Sequence, residues 1–551
     1  MNNIVTEGES AASSEEFGSH LIATSAKRLL NIRITEHADI LIVWLIITAA
    51  NLLYHHLIPL DETRYASVAW EMWLSHDYLV PHLNGMPYHH KPPLLFWLYD
   101  LGWSVFGVRE WWSLLISPLC ALIGLYTLRY LARLLWPENR AASRLAPWIL
   151  FGSLLWGAFL NAAMFDTLLT ACVLLAMTGL IKASRHLNWQ SWALFALGCG
   201  LGLLAKGPVV FVHILMPFLT GFLWSETVRH NCRLWYSQGF AAIAAGIVLA
   251  LCWAIPAIGA GGNTYGGELL WHQTIDRMSH SFAHRRPLGW YLMLSPVVLF
   301  PWFFWPRAWS NLFKRELLKD LSFRFCLIWF VSGFIGFSLI SGKQVHYLIP
   351  LLPALALLLG RALPGHLVAA KPSDFLPFLM IVIFGVILLV LPLIPGIRLF
   401  HWLQSRQLWW AIVIILIGAG AIASIVKTRS ISPYHVAMSV LMALTASLAG
   451  FFSSTGNAFD LRAAAQQLQI YRKAGEPIAW AGKYEGQFQF MLRATEPMEV
   501  IDKKAVGAWL ASHHNGHVIS IEKSDSIPQE PVYIEYEQYY REDKLWIQSW
   551  G

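Results

Sequence analysis

The sequence predicts an all-α protein that crosses a membrane about thirteen times and ends in a small α/β domain. Hydrophobic residues make up 56% of the 551 residues, charged residues make up 13%, and the mean hydropathy is +0.48. Soluble domains carry about 25% charged residues, so a chain of this size with half that share could not cover a soluble surface. The 28 Trp and 18 Tyr agree with many membrane–water interfaces, where these rings are enriched.

The spans are marked by runs of about 20 apolar residues, the length needed to cross the hydrocarbon core. Thirteen such runs occur, at 39–58, 111–132, 144–163, 166–183, 191–205, 207–224, 238–256, 289–306, 321–340, 346–363, 375–396, 408–426 and 434–453. A further apolar run, 93–107, is short, follows Pro92 and contains Asp100. We therefore expect 93–107 to be a helix that lies in the interface.

The distribution of Lys and Arg predicts the orientation. With thirteen spans, the segments on the side of the N-terminus carry 20 Lys and Arg, and the segments on the other side, up to residue 454, carry 10. Because cytoplasmic loops are enriched in these residues, the N-terminus is predicted to be cytoplasmic. Residues 1–37 would then be a cytoplasmic tail, and 38–454 a membrane domain whose two long loops, 59–110 and 257–288, face outward.

Residues 455–551 differ from the rest in charge. They carry 10 Lys and Arg against 13 Asp and Glu, whereas the first 454 residues carry 30 against 20. The basic excess thus belongs to the membrane domain, which favours positive-inside bias over nucleic-acid binding. The hydrophobic pattern of the C-terminal part predicts a compact outer α/β domain. Its helices are expected at 459–474 and 503–513, and its strands at 477–481, 487–492, 517–522 and 531–537.

Carboxylates stand where two spans meet the outer loops. Asp61 and Glu62 follow the first span, where an ionised group is costly unless it is paired, solvated or functional. An exposed helix end with Arg64 as partner is the alternative interpretation. Asp166 lies at the outer end of a helix hairpin, where it is either a second functional carboxylate or a turn residue.

Three lysines on the same side violate the positive-inside bias: Lys91, Lys206 and Lys343. Lys91 precedes two prolines, which disfavour a helical conformation for it, and a cation fixed at the interface suits a lipid phosphate. An ordinary lysine that reaches for water is the alternative interpretation of Lys91. Their coincidence, together with Arg277 in the second loop, predicts a binding site for an anionic ligand.

Histidines in the two loops raise the possibility of a metal site. His89 and His90 are adjacent in the first loop, and His272 lies in the second. Adjacent histidines point in different directions in most backbones and rarely chelate together. A divalent metal is therefore an open possibility rather than a requirement, and no cofactor is required by the sequence.

The first loop carries a resemblance to a known family. The run DETRYA begins at Asp61, and the run VPHLNGMPYHHKPPL begins at Val80. These runs resemble the first loop of bacterial GT-C glycosyltransferases, the phospholipid-carrier-dependent enzymes related to protein O-mannosyltransferases. Within them the chain is most similar to the aminoarabinose transferases that modify lipid A. The resemblance implies thirteen spans, interfacial helices in the first loop, a periplasmic C-terminal domain and a place in the bacterial inner membrane.

The resemblance also implies roles for individual residues. Asp61 corresponds to the main catalytic carboxylate and Asp166 to the second one, while Glu62 and Tyr65 would contact the acceptor or support the structure. The expected ligands of the donor phosphate are Lys91, Tyr88, Tyr347, Arg64, Arg277, Lys343 and Lys206. The sequence departs from the pattern at His90, where aminoarabinose transferases usually have a Glu implicated in a metal site. His90 and His272 are the remaining candidate metal ligands.

The expected activity is the inverting transfer of a sugar from polyprenyl phosphate, such as undecaprenyl phosphate, to lipid A. Transfer to a protein or polysaccharide hydroxyl is an alternative on the same fold. A lipid-carrier transporter without chemistry is an alternative of another class, although charges clustered on one face favour an enzyme over transport. The expected partners are the lipid-linked donor, the acceptor and membrane lipids, with no nucleic acid, and the protein is expected to be a monomer.

Overall fold

The computed structural model describes residues 38–269, 285–394, 408–455, 458–526 and 532–551. The chain from Ala50 to Gly551 forms one compact unit, and the preceding unit, Met1–Ala49, is helical over its described residues. Among the described residues, nine helices are long and apolar enough to cross a membrane. They are Glu110–Leu135, Phe165–His186, Trp189–Leu219, Cys232–Gly262, Leu321–Leu339, Val345–Ala362, Pro372–Leu393, Trp409–Thr428 and Pro433–Ser454. The predicted polytopic, mostly helical architecture is confirmed.

The stretch Trp189–Leu219 is a hairpin of two helices rather than one straight span. Trp189–Lys206 and Val210–Leu219 are joined by the 3-10 turn Gly207–Val209. The rings of Trp192 and Phe218, near the far ends of the two arms, lie 6.4 Å apart. In a straight helix they would be about 39 Å apart, at 1.5 Å per residue. The sequence thus correctly placed Lys206 at a turn between two helices.

Other predicted spans are short or broken. Arg140–Phe151 and Leu154–Leu160 together pass the same test as one span but are inclined by 66°. The first predicted span is the shorter helix Ala38–Tyr54, and the predicted span 289–306 contains the helix Trp290–Val298 and the 3-10 turn Trp302–Phe304. The number thirteen requires each of these pieces to cross the membrane, and it stays a prediction.

Glycines bring the helices Phe165–His186 and Trp189–Lys206 close together. A Cβ atom added to Gly179 would lie 2.4 Å from the backbone nitrogen of Phe195, and one added to Gly198 would lie 2.4 Å from that of Ala176. Small residues that let backbones approach this closely are typical of membrane helix pairs. Because the two helices run antiparallel, the start of the first meets the end of the second.

The first loop contains two helices and a hairpin. The helix Asp61–Ser75 is followed by the strands β1 (His82–Leu83) and β2 (Met86–Pro87), and then by the helix Leu94–Phe106. The Asn-Gly turn of the hairpin has positive φ angles, as this turn requires. The helix predicted at 93–107 is present as Leu94–Phe106. Two further short strands, β3 (Val368–Ala369) and β4 (Ser430–Ile431), pair with each other.

In the described part of the C-terminal region, five strands form a mixed sheet. They are β5 (Ile478–Ala481), β6 (Glu499–Ile501), β7 (His517–Glu522), β8 (Val532–Tyr540) and β9 (Asp543–Trp550). The order is β6-β5-β7-β9-β8, with β6, β5 and β7 parallel and the pairs β7–β9 and β9–β8 antiparallel. The helices Arg462–Ala474 and Val506–Ser512 accompany the sheet. The predicted α/β character is confirmed.

The strand predicted at 487–492 is wrong. The segment forms successive turns, in which the backbone N–H of Leu492 donates to the carbonyl of Phe488 at 2.8 Å. Its alternating apolar residues are all buried, which explains the misleading pattern: Phe488, Phe490 and Leu492. These side chains are buried because the segment lies between the sheet region and the first loop, which cover it on both sides. The segment is not a strand with one buried and one exposed face.

Residues 484–498 attach the C-terminal region to the helix Asp61–Ser75 and the hairpin that follows it. The Ser67 hydroxyl donates to the carbonyl of Gly486 at 2.7 Å, and the Trp70 indole N–H donates to the carbonyl of Ala494 at 2.8 Å. The Asn84 amide donates to the carbonyl of Met498 at 2.9 Å. We call residues 484–498 the docking segment.

Candidate active site

Asp61 opens the helix Asp61–Ser75 and is half exposed. Its carboxylate accepts from Arg64 Nη1 and from the Tyr65 hydroxyl, each at 3.4 Å. An anion in the first turn of a helix is favoured by the helix dipole. Burial, with the charge of Asp61 nearby, raises the pKa of the Tyr65 hydroxyl well above its usual value. Tyr65 is therefore a neutral donor, and Asp61 retains an exposed oxygen for an incoming group.

Glu62, the next residue, points into the protein and holds three segments together. One oxygen lies 2.9 Å from His55 Nε2 and 2.9 Å from the backbone nitrogen of Ile58, and the other accepts from the backbone nitrogen of Ala163 at 2.8 Å. Its side chain is 6% exposed. Of the two roles expected for Glu62, these contacts favour the structural one.

Asp166 and Lys206 form a buried ion pair. Asp166 stands in the first turn of the helix Phe165–His186, and Lys206 is the last residue of Trp189–Lys206. Lys206 Nζ lies 2.5 Å from Asp166 Oδ1, and the two side chains are 9% and 2% exposed. The close glycine packing of the two helices places both charged ends together. The second oxygen of Asp166 is buried without a hydrogen-bond partner among the described residues.

Aromatic rings connect the Asp61 side of the site to the Asp166 side. The ring of Phe165 lies 4.9 Å from that of Tyr65 and 5.6 Å from that of Phe96. The ring of Phe96 lies 6.2 Å from that of Tyr88. We call these four rings, Tyr65, Tyr88, Phe96 and Phe165, the aromatic floor. The floor gives the charged groups around it a surface of low polarity.

Lys91 reaches the same floor. Its ammonium group lies 5.7 Å from the centroid of the Phe165 ring, within the range of a cation–π contact, and is in electrostatic contact with Asp166. Lys91 lies outside regular secondary structure, as the two following prolines predict. Tyr88 is buried beside it and is in electrostatic contact with Arg64. The predicted donor ligands Lys91, Tyr88 and Arg64 thus lie around one surface.

Tyr347 contacts the other member of the ion pair, Lys206. The Lys206 ammonium is 4.9 Å from the centroid of the Tyr347 ring, and the adjacent His346 ring is 4.9 Å from that of Tyr347. His346 is in electrostatic contact with Asp166, Lys206, Lys91 and Asp61. The segment Val345–Leu351 therefore borders the site beside Lys206.

Lys343 has a different environment. Its side chain is 2% exposed, and its ammonium group donates to the carbonyls of Ile340 at 2.5 Å and Arg286 at 3.1 Å. These bonds tie the end of the second loop to the segment after the helix Leu321–Leu339. The contacts favour a structural role, so the expected phosphate-binding role of Lys343 has no support from its described neighbours.

The residues available for a metal do not form a ligand set in the described part of the chain. His90 is exposed, and its ring contacts the rings of Tyr88 and His89 at 5.2 and 4.4 Å. His89 Nε2 lies 3.5 Å from Glu268. Among the described residues, no group of three or more His, Cys, Asp or Glu side chains is placed to hold a metal ion. The expected ligands Arg277 and His272 lie outside the described residues.

Sequence reasoning missed three residues of this site. Phe165 is central to the aromatic floor, but a Phe at the start of an apolar helix is indistinguishable from a core residue in the sequence. His346 adjoins Tyr347, but nothing in the sequence distinguishes it from the other histidines, of which the chain has 21 in all. Glu485, from the docking segment, forms an ion pair with Arg64 from 421 residues away. Its proximity to Asp61 has no signal in the sequence.

The arrangement combines two carboxylates with cations beside an aromatic surface, at the junction of a loop and several apolar helices. Carboxylates can take a proton or orient a nucleophile, and preorganised cations stabilise a leaving phosphate. A polytopic helical fold with such a site defines the class of GT-C membrane glycosyltransferases.

Comparison with known proteins identifies the family. Residues 90–256 match the family described as dolichyl-phosphate-mannose-protein mannosyltransferase. The chain is 30% identical over 411 residues to the undecaprenyl phosphate-alpha-4-amino-4-deoxy-L-arabinose arabinosyl transferase of Pseudomonas aeruginosa, an alignment covering 70% of this chain and 71% of that relative. The chain therefore belongs to the family of these arabinosyl transferases.

A second relative and a solved structure agree with this membership. The enzyme of the same name from Pseudomonas savastanoi pv. phaseolicola is 29% identical over 342 residues, which cover 61% of this chain and 62% of the relative. The crystal structure of ArnT from Cupriavidus metallidurans bound to undecaprenyl phosphate superposes with a TM-score of 0.72. The identity is 19%, and the match covers 94% of this chain and 98% of ArnT. The structural likeness supports the fold.

Proposed function

We propose that the protein transfers a sugar from undecaprenyl phosphate to lipid A at the periplasmic face of the bacterial inner membrane. The observation that carries this proposal is the convergence of Asp61, Lys91 and the Asp166–Lys206 pair on the aromatic floor. The named activity of the arabinosyl transferases supports a lipid-linked donor. It also favours 4-amino-4-deoxy-L-arabinose as the sugar.

In the proposed reaction, an acceptor oxygen forms a bond to the anomeric carbon while the bond from that carbon to the donor phosphate breaks. The bonding electrons leave with undecaprenyl phosphate, and the configuration at the anomeric carbon is inverted. Lys91 and Arg64 stabilise the negative charge that grows on the phosphate. The proposal is supported by the positions of both cations beside the aromatic floor, with Lys91 over the Phe165 ring and Arg64 near Tyr88.

The role of Asp61 depends on the acceptor. A lipid A phosphate is already ionised, so Asp61 would orient it or stabilise positive charge that develops on the sugar. A hydroxyl acceptor would instead give its proton to Asp61 as general base. Asp166 and Lys206 lie beside the aromatic floor, where their buried ion pair would contribute to the electrostatic field of the site. The apolar helices beside the site would accommodate the polyprenyl chain.

The test is a single-turnover transfer assay with purified protein in lipid nanodiscs. The donor is radiolabelled undecaprenyl phosphate-aminoarabinose and the acceptor is lipid A. We expect Asp61→Asn and Lys91→Ala each to lower the rate by about 100-fold or more. Asp77→Asn is the matched control, because Asp77 is a carboxylate of the same loop that accepts from the backbone nitrogens of Leu79 and Val80.

The outcomes separate the alternatives. Labelled lipid A from the wild type and the control, lost in both site variants with thermal stability retained, supports the proposal. Donor consumption that is sensitive to both variants, without labelled lipid A, identifies another acceptor such as a protein hydroxyl. No donor consumption by the wild type with any lipid-linked sugar contradicts an enzymatic function and favours transport.

A further inference from the structure

Glu485, a residue of the C-terminal region, reaches the candidate active site. Its carboxylate forms an ion pair with Arg64 Nη2, while Arg64 Nη1 lies 3.4 Å from Asp61. The side chains of Arg64 and Glu485 are 18% and 17% exposed, whereas that of Asp61 is 50% exposed. One guanidinium is therefore shared between two carboxylates, and the closer contact is with the one from the C-terminal region.

The docking segment fixes the position of Glu485. Gly486 has a φ of +77°, and a Cβ atom there would lie 2.7 Å from Leu83 and 3.1 Å from Ser67. The backbone nitrogen of Glu485 donates to the Gln487 side chain at 2.9 Å, and Lys483 lies 2.5 Å from the Glu485 carboxylate. The backbone at Glu485 is held against the helix Asp61–Ser75. The Glu485 carboxylate is therefore kept close to Arg64, and little conformational entropy is lost when the ion pair forms.

The charges favour this pairing. Lys483 and Arg64 lower the pKa of Glu485 against the opposing effect of burial, so Glu485 is ionised at neutral pH. Burial alone would lower the pKa of Arg64, but Tyr88, Glu485 and Asp61 outweigh it and raise the pKa. Arg64 is thus permanently charged and lies within ion-pair distance of two carboxylates, Glu485 and Asp61. If the charge of Glu485 is removed, Arg64 can still pair with Asp61, which lies on the same helix as Arg64.

We propose that Glu485 is a positioning residue of the active site, which holds Arg64 back from a close ion pair with Asp61. This inference rests on the proposed function and gives the C-terminal region a direct part in it. With Arg64 held by Glu485, the Asp61 carboxylate remains open to the acceptor. The same contact orients the Arg64 guanidinium beside Tyr88 and the aromatic floor.

The variant Glu485→Gln tests the proposal, because it keeps the shape of the side chain and removes its charge. Arg64 then turns to Asp61, and we expect kcat to fall about tenfold. The donor KM stays the same or falls, since the site has gained positive charge. The affinity for undecaprenyl phosphate alone, followed by tryptophan fluorescence, should rise by about threefold for the same reason. Glu485→Asp retains the charge and should recover part of kcat.

A double-mutant cycle tests whether Glu485 acts through Arg64. Arg64→Ala removes the group that Glu485 positions. Adding Glu485→Gln to Arg64→Ala should therefore change kcat by less than about twofold. Glu537→Gln is the matched control, because Glu537 is an ion-paired carboxylate of the same C-terminal region, 2.9 Å from Lys544. This control should leave kcat and KM unchanged.

If the wild type transfers the sugar, two results would overturn the proposal. A fall in kcat of Glu485→Gln that persists in the Arg64→Ala background would show that Glu485 acts elsewhere. A higher donor KM together with a lower melting temperature would show that Glu485 only attaches the C-terminal region. Absence of transfer by the wild type would instead reject the proposed function. The affinity for undecaprenyl phosphate would then decide the inference, and an unchanged affinity in Glu485→Gln would reject it.

Discussion

The ammonium group of Lys206 lies 2.5 Å from Oδ1 of Asp166, in an ion pair that the surrounding helices almost completely enclose. The two residues stand at facing ends of antiparallel helices whose backbones meet at Gly179 and Gly198. Neither charge could be buried alone, because an unpaired ion in a medium of low polarity is strongly destabilised. The pair therefore links the packing of the helices to the electrostatics of the site.

Removing either partner of this pair should destabilise the protein. We expect Asp166→Asn and Lys206→Met each to cost about 3 kcal/mol, because each leaves a buried charge uncompensated. The double variant should recover most of this loss, since neither charge remains. Thermal unfolding in detergent, followed by tryptophan fluorescence, measures the stability.

Transfer activity separates the structural from the functional contribution of the pair. The double variant should remain inactive although its stability returns, because both groups border the aromatic floor. Asp460→Asn is the control, since it breaks the more exposed pair with Arg462 and should cost less than about 1 kcal/mol. A double variant that transfers at the wild-type rate would limit Asp166 and Lys206 to a structural role.

Local patterns were sufficient to predict one part of the site. Asp61, Lys91 and Lys206 could be singled out because charged residues are rare beside apolar spans, and each stood where a helix or turn had to end. Lys343 satisfied the same pattern, yet its ammonium group binds carbonyls of Ile340 and Arg286. A sequence shows that a cation lies near the interface but not whether backbone oxygens or open space surround it.

Long-range packing accounts for what the sequence could not show. Residues 487–492 of the docking segment resembled a strand because Phe488 and Phe490 alternate with Gln487 and Gln489. In the fold all four side chains are buried, because separate parts of the chain cover the segment on two sides. The contact between Glu485 and Arg64 depends on the same packing. No local sequence pattern links the two residues, because they are 421 positions apart in the chain.

Loss of the carboxylate should affect protein stability much more at Glu62 than at its neighbour Asp61. Glu62→Ala should destabilise the protein by about 3 kcal/mol, because it leaves buried donors of His55, Ile58 and Ala163 without an acceptor. Asp61→Asn should change stability by less than about 1 kcal/mol, because Asp61 is half exposed. Thermal unfolding of the two variants tests the difference, and equal losses would contradict it.

Attachment of the docking segment should depend on pH. The pKa of Glu485 is lowered from its usual value of 4.5 by Lys483 and Arg64 against the opposing effect of burial. A carboxylate with a lowered pKa in the folded state stabilises that state above its usual pKa, and this contribution is lost as the pH falls through the lowered value. Protection of the segment from limited proteolysis should therefore be constant from about pH 8 to 5 and decrease below about pH 4.5.

The variant Glu485→Gln provides the control for this pH dependence. It should be less protected than the wild type at neutral pH, and the difference between them should disappear in acid. A difference that grows as the pH falls would have the wrong sign and would contradict the contribution of the Arg64 pair.

The turn that presents Lys206 should be sensitive to a single methyl group. Gly207 has φ and ψ angles of 73° and −157°, a region that is almost exclusive to glycine, although open space surrounds the position of its absent Cβ. Gly207→Ala should therefore cost about 1–3 kcal/mol through backbone strain rather than through collision. The strain is relieved if the turn shifts, and a shift moves Lys206 relative to Asp166 and Tyr347.

Gly420→Ala is the matched variant for this test. Gly420 also has open space around it but lies within the helix Trp409–Thr428, where alanine is favoured over glycine by about 1 kcal/mol. Thermal unfolding and the transfer assay should show a loss of stability and activity for Gly207→Ala and no loss for Gly420→Ala. Because both substitutions add the same methyl group to open space, a difference between them isolates the backbone conformation at the Lys206 turn. Equal behaviour would mean that this turn tolerates alanine without displacing Lys206.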